Sequence, residues 1–283
     1  MKRPTSESDR LALIDYLRDA YMEVFPAGNI EQRLSLLEPH SYVAVTCSPT
    51  KGVEVTLELT EKLVNKGFRV IPHLAARNVM DQSHLGRIMQ RLSDLQIESI
   101  FVPGGDRSQP IGRFATAFEL LKAISSMDHG VDHIGVAAHP EGHPEVPSAT
   151  LFDELRKKQE LATYMVTQMC FDTAALGTWL ANLRARGITL PVWIGLPGVI
   201  DRGALLKTSF KIGVGDSLRF LRKKSSIAKQ LMKPGAYIPD DLVIDFAKYH
   251  ADPDMNIAGY HLFCFNQIES TERWRQEAIE SLR

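Results

Sequence analysis

The stretch YVAVTCSPTKGVEVTLELTEKLVNKGFRVIPHL, residues 42–74, reads as one complete β–α–β unit. Two short apolar runs, YVAVTC (42–47) and RVIPHL (69–74), flank a longer amphipathic segment, VEVTLELTEKLVNKG (53–67). The runs carry β-branched residues without strict polar alternation, as expected of strands covered on both faces in a parallel sheet. Gly67 closes the helical segment with the usual stop signal. The same order repeats along the chain, with AYMEVF (20–25), SIFVPG (99–104), HIGVAA (133–138), YMVTQM (164–169), PVWIGL (191–196) and GYHLFC (259–264) as further strands. Eight such units in 283 residues predict an α/β fold, a (β/α)8 TIM barrel forming a single domain over residues 1–283. A doubly wound open sheet is the alternative. The segment between strands 7 and 8 is enlarged, since residues 200–257 contain KIGVGDSLRFLRKKSSIAKQ and the helical pattern PDDLVIDFAKYH.

Composition narrows the class. Apolar residues make up 44% and charged residues 24%, ordinary for a chain with a sizeable core. A net charge of -1 and a pI near 6.8 give no electrostatic reason to expect nucleic acid or anionic membrane as a partner. No run approaches the roughly 20 apolar residues of a bilayer span. MKRPTSESDR at the N-terminus lacks a secretory h-region, so a cytoplasmic location is expected. Cys47, Cys170 and Cys264 are too few and too scattered for a disulfide framework or a zinc motif, and read as buried, inert thiols.

In a barrel, active-site residues gather at the C-terminal ends of the strands. The polar residues there are Glu23, Thr46, His73, Asp106, His139, Glu141, His143, Gln168 and Asn266. HPEGHPE (139–145) has histidines four apart, the spacing of a helical zinc motif. Pro140, Gly142 and Pro144 argue against a helix, and without one that spacing does not aim both imidazoles at one ion. No metal is expected.

Taken in order, several of these pieces resemble the methylenetetrahydrofolate reductase family. MEVFPA (22–27) stands for F-E-F-F-P-P, VAVT (43–46) for V-S-V-T, PHL (72–74) for P-H-L, and GGD (104–106) for R-G-D. HPEGHPE is similar to Y-P-E-x-H-P-E, TQMCFD (167–172) to T-Q-x-x-F-D, and YHLFCFNQIE (260–269) to F-H-x-Y-T-L-N-R-x-E. The resemblance implies reduction of 5,10-methylenetetrahydrofolate to 5-methyltetrahydrofolate, with NADH or NADPH as the source of hydride. Protonation of N10 opens the five-membered ring and leaves an iminium at N5, so the reaction needs a carboxylic acid that keeps its proton, as apolar surroundings allow. Glu23 matches that general acid. Asp106 and Gln168 match residues that hold the pterin, Asp106 with a catalytic role as well, and Phe263 and Gln267 fall at substrate-binding positions. Thr46, His73, Gly105, His139, His143 and Lys157 correspond to cofactor-binding positions.

The departures concentrate where the family binds FAD. Its arginine before Gly-Asp is Gly104, its strand-five tyrosine is His139, and an aspartate in the next helix is Thr150. Losing a forked charge-assisted contact and an aromatic surface weakens flavin binding, with Lys51 or Arg107 as possible substitutes. The implied enzyme is therefore flavin-independent, with an FAD-dependent reductase as the alternative. A catalytically silent folate-binding subunit and a metal-dependent hydrolase using His139, Glu141 and His143 are the rivals from other classes. The basic segment 207–230, with seven Lys or Arg among 24 residues, reads as a solvated face or as a partner for a polyglutamate tail or dinucleotide phosphates.

Overall fold

The computed structural model describes residues 4, 6–211, 235–250 and 252–283. Eight parallel strands form one sheet: β1 (Tyr21–Val24), β2 (Tyr42–Val45), β3 (Arg69–Pro72), β4 (Ser99–Val102), β5 (His133–Ala138), β6 (Tyr164–Thr167), β7 (Val192–Pro197) and β8 (Ile257–Phe263). Their spatial order is β3-β2-β1-β8-β7-β6-β5-β4, so the first and last strands of the chain lie side by side. The remaining gap is closed between β3 and β4. His73 and Phe101 form a parallel bridge there, and the N–H groups of Leu74 and Ala76 donate to the carbonyls of Phe101 and Pro103 at 2.8 and 3.0 Å. The sheet is thus a (β/α)8 barrel and not the open alternative.

The helices follow their strands: α1 (Glu7–Arg18) precedes β1, then α2 (Gly52–Val64), α3 (Gln82–Asp94), α4 (Ala117–Ser125), α5 (Ser148–Lys158), α6 (Thr173–Ala185), α7 (Arg202–Lys211), α8 (Asp240–Ala247) and α9 (Ile268–Leu282). Local sequence sets several of their ends. Asp81 and Asp172 cap α3 and α6, and Thr116 with Glu119 forms a complete capping box on α4. Gly67 and Gly187, at φ +84° and +79°, carry the chain out of α2 and α6.

Two apolar layers result. The larger fills the space between sheet and helices, and the smaller, built on Tyr21, Ala44, Ile71, Phe101, Tyr164 and Val166, plugs the barrel itself. Tyr21 and Trp193 stack inside it with ring centroids 3.8 Å apart. A Cβ on Gly259 would stand 2.4 Å from the Trp193 ring, so that strand position must stay bare.

Between β7 and β8, Ile200–Asp201 pairs antiparallel with Ala236–Tyr237. Most of the basic stretch 207–230 lies outside the described residues. Among the described residues no helix is long and apolar enough to cross a membrane. They also contain no group of three or more His, Cys, Asp or Glu placed to hold a metal ion.

Gly195 of β7 sets the spacing near the barrel mouth. A Cβ there would lie 2.3 Å from the Thr167 carbonyl oxygen and 2.6 Å from Cε2 of Phe263. Gly195→Ala is expected to lower unfolding free energy by about 1–3 kcal/mol through overpacking. Urea titration checks this, and an unchanged midpoint would show that the strands can part at no cost.

Candidate active site

Three strands bring Glu23 and its neighbours together. Glu23, on β1, is 19% exposed at its side chain, and its Oε2 lies 3.0 Å from Nε2 of His261 on β8. Cys264, just beyond β8, donates its thiol to the Glu23 carbonyl oxygen at 2.8 Å. His73, at the end of β3, is buried, with its ring centroid 6.3 Å from that of His261 and 4.7 Å from Phe101. Burial pulls the His73 imidazole down to about 4, with the Glu23 carboxylate drawing it partly back up and His261 adding to the fall. Burial likewise pushes the Cys264 thiol up to about 12, which makes it an inert packing group. Phe263 edges this cluster, its ring 4.9 Å from His261.

Gln168 follows β6. Its N–H donates to the Ala138 carbonyl at 2.7 Å, and its Oε1 accepts from the Met169 N–H at 2.8 Å. Its side chain is half-buried, with its backbone and Phe263 meeting over Gly195. Thr46 lies just past β2, where its N–H donates to Val24 and its carbonyl accepts the Thr56 hydroxyl. Gln267 starts α9 and receives the Asp201 N–H at 3.3 Å, linking that helix to the segment after β7. Asn266 clamps the Phe25 peptide at both N–H and carbonyl, at 3.0 Å each, and so ties the end of β8 to the end of β1.

Asp106 is exposed on the loop after β4, and its carboxylate makes no hydrogen bond or ion pair among the described residues. Gly105 before it adopts φ +95°, and a Cβ there would touch Ala75 at 3.0 Å, so glycine lets this loop lie flat against the one after β3. Asn78 knits the three neighbouring loops, donating to Cys47 and Ser48 and accepting from Arg107.

A second group forms around the loop after β5. His139 and His143 meet edge to face at 5.3 Å. A cavity of ≈ 280 Å³ runs beside His139 between α5 and α6, walled by Phe152, Trp179 and Arg186. Lys157, expected at this site, is instead half exposed and paired with Glu154 at 2.9 Å. Lys158 is the residue that enters the cavity, where its Nζ reaches the Ala137 carbonyl at 3.3 Å. One residue is a rotation of about 100° on a helix, enough to exchange an inward lysine for an outward one. Burial lowers Lys158 to about 8 and His139 to about 4.

Glu141 has a role that neither the metal reading nor the loop reading contained. Its Oε1 accepts from the Cys170 thiol and the Phe171 N–H, both at 3.1 Å, and more distantly from the Asp172 N–H. It therefore fastens the loop after β6, which carries Gln168, to the loop after β5. No local signal marks such a contact.

The residues around the post-β4 loop do not fit a firmly held flavin. Gly104 offers open space with no cation, Lys51 is turned to the Pro26 carbonyl, Arg77 to the carbonyls of Ala115 and Arg107, and Arg107 to Asn78.

Comparison with known proteins agrees with this architecture. The family model described as methylenetetrahydrofolate reductase matches residues 26–206. The chain belongs to the methylenetetrahydrofolate reductase family. Its relatives include 5,10-methylenetetrahydrofolate reductase of Pectobacterium carotovorum subsp. carotovorum, 29% identical over 59% of this chain and 56% of that protein. Methylenetetrahydrofolate reductase 2 of Saccharomyces cerevisiae is 31% identical over 34% of this chain and 17% of that protein. The matches thus span less than two thirds of these relatives' lengths. A solved structure of an uncharacterized protein from Clostridium thermocellum, which binds two copies of 5-methyl-5,6,7,8-tetrahydrofolic acid, superposes with a TM-score of 0.64 at 11% identity, covering 96% of this chain and 99% of that one. At that identity the likeness is one of fold. Glu23 and His261 both lie outside the span of the family match.

Two predictions follow from the β5 region. Glu141→Ala leaves buried N–H donors without an acceptor and is expected to destabilise the protein by about 1–3 kcal/mol, measured by denaturant unfolding; no loss would mean the two loops are independent. Lys158 carries the other. Its folded-state value lies below the ordinary 10.5, so the unfolded chain binds the extra proton between about pH 8 and 10.5 and stability rises with pH across that window. Lys158→Met should flatten that rise, and an unaltered pH dependence of unfolding would place the amine in water.

Proposed function

We propose that this barrel is a methylenetetrahydrofolate reductase in which Glu23 is the general acid. The observation that carries the reading is a carboxylate at the mouth of a barrel of this family, set against a buried imidazole and edged by Phe263. The folate carried by the Clostridium thermocellum neighbour supports a reduced folate as the ligand of such a mouth. The pterin would lie over Phe263, with the Gln168 amide, a donor and an acceptor in one group, meeting its edge. Glu23 would protonate N10, opening the ring to an N5 iminium. His73, neutral near pH 7, competes neither as an acid nor as a charge. Asp106, unpaired at the rim, is free to reach a pterin donor once the substrate is seated.

The hydride would come from NADH or NADPH, bound as a second substrate. A resident flavin needs affinity that survives purification, and the post-β4 loop has Gly104 where the family has its arginine, with the nearby Arg107 hydrogen-bonded to Asn78. A dinucleotide that arrives and leaves each turnover needs far less, because each lost charge-assisted contact removes about 1.5–3 kcal/mol. His139 and Lys158, which line the ≈ 280 Å³ cavity, and His143 against His139 would meet it.

Purified protein, with no flavin absorbance and none added, is expected to oxidise NADH or NADPH on addition of methylenetetrahydrofolate. Glu23→Gln should lower kcat by about 10²–10⁴-fold, the range of general acid catalysis, with folate binding retained. Activity only after FAD is supplied would overturn the direct transfer. Folate binding without turnover under either condition would favour the silent folate-binding subunit.

A further inference from the structure

His261 is the side chain that hydrogen-bonds the Glu23 carboxyl group, and the reductase reading gives it no task of its own. It sits in the middle of β8, 3% exposed at its side chain, with Nε2 3.0 Å from Glu23 Oε2. Its other nitrogen, Nδ1, is buried without a partner. A buried N–H left without an acceptor is the rarer and costlier defect, so the ring proton belongs on Nε2, where the carboxylate receives it. Glu23 Oε1, in contrast, has no hydrogen-bond partner among the described residues and is not among their buried, unpartnered atoms. The ring itself is wedged by Phe263 at 4.9 Å and Tyr21 at 6.3 Å, so it cannot swing away cheaply.

We infer that His261 is a positioning residue for Glu23: by donating Nε2–H to Oε2 it reserves Oε1 as the oxygen that carries the proton and releases it to the substrate. The inference rests on Glu23 being the acid. Proton balance is simple. Glu23 gives the Oε1 proton to N10 and becomes a carboxylate, the hydrogen bond to Oε2 strengthens as charge develops, and solvent restores the proton at the exposed oxygen. The titratable groups facing Glu23 are His261 of β8, Cys264 just beyond it, His73 just after β3 and Tyr21 from its own strand. His73 and Tyr21 stay neutral through burial, as does the Cys264 thiol.

The test uses the full chain with His261→Leu, His261→Gln, Glu23→Gln and the Glu23→Gln/His261→Leu double variant. Gln keeps an N–H donor at nearly the reach of Nε2. His261→Leu is expected to lower kcat by about 10–100-fold while KM for methylenetetrahydrofolate changes little, the signature of lost orientation in the transition state. The alkaline limb of its kcat profile should move to higher pH, because the lost donor supported the carboxylate more than the acid. His261→Gln should recover most of the rate, and the double variant should be no slower than Glu23→Gln alone. Isotope-edited infrared spectra of the Glu23 carboxyl, which need no turnover, should shift in the Leu variant and not in the Gln variant. A Leu variant with wild-type rate, profile and spectrum overturns the inference, as does a double variant whose losses multiply. If the Leu variant fails to fold, a Gln variant that is as slow as Glu23→Gln, with an altered carboxyl band, overturns it instead. A wild-type protein that never turns over sinks the reductase reading, while the infrared comparison still decides whether His261 holds Oε2.

Discussion

Closure of the sheet between β3 and β4 is the constraint on which the rest depends. Seven of the eight strand junctions are ordinary parallel ladders, whereas this one is a single bridge at His73 and Phe101 extended by the loops beyond the strands. An open sheet would leave β3 and β4 as bare edges and place their ends far apart. Closed, the sheet brings loops from every strand to one rim, and the closing residue contributes its own imidazole to the interior. His73 spends its N–H on Val45 and turns its ring toward His261. The joint that completes the backbone also brings His73 to the Glu23–His261 cluster.

The pairing of β1 with β8 is the other half of that geometry. Tyr21 pairs with His261 and Glu23 with Phe263, so acid and partner come from opposite ends of the chain, 238 positions apart. Such a contact is invisible to any local motif. It also explains why membership of the reductase family, read from residues 26–206, does not by itself deliver the acid cluster. Barrel topology supplies the link, because the last strand must return to the first.

How much of this the sequence discloses depends on the range of the interaction. All eight strands are legible as apolar runs because burial on both faces removes polar alternation. The enlarged segment between strands 7 and 8 shows in spacing alone. Positions that depend on rotation are harder. Lys157 and Lys158 are adjacent, and Pro147 before α5 supplies no side-chain cap, so nothing local fixes which lysine turns inward. Glu141 belongs to a run of metal-like residues yet binds backbone and thiol some 30 residues away. His261 did carry a signal. Gly259, His261 and Phe263 alternate along β8, and the bare Gly259 beside Trp193 marks that parity as the interior face.

The polar groups buried near the mouth share one electrostatic property. His73 and His139 are held neutral by loss of water, and the Cys264 thiol keeps its proton for the same reason. Charged, the imidazoles would add cations and the thiol an anion to the site, and the His73 cation or the Cys264 thiolate would act directly on the Glu23 carboxylate. Kept neutral, they leave His261 as the one side chain hydrogen-bonded to the Glu23 carboxyl group among the described residues. Burial, usually counted as a cost to ionisable side chains, here sorts the site into one group that can exchange a proton and several that cannot.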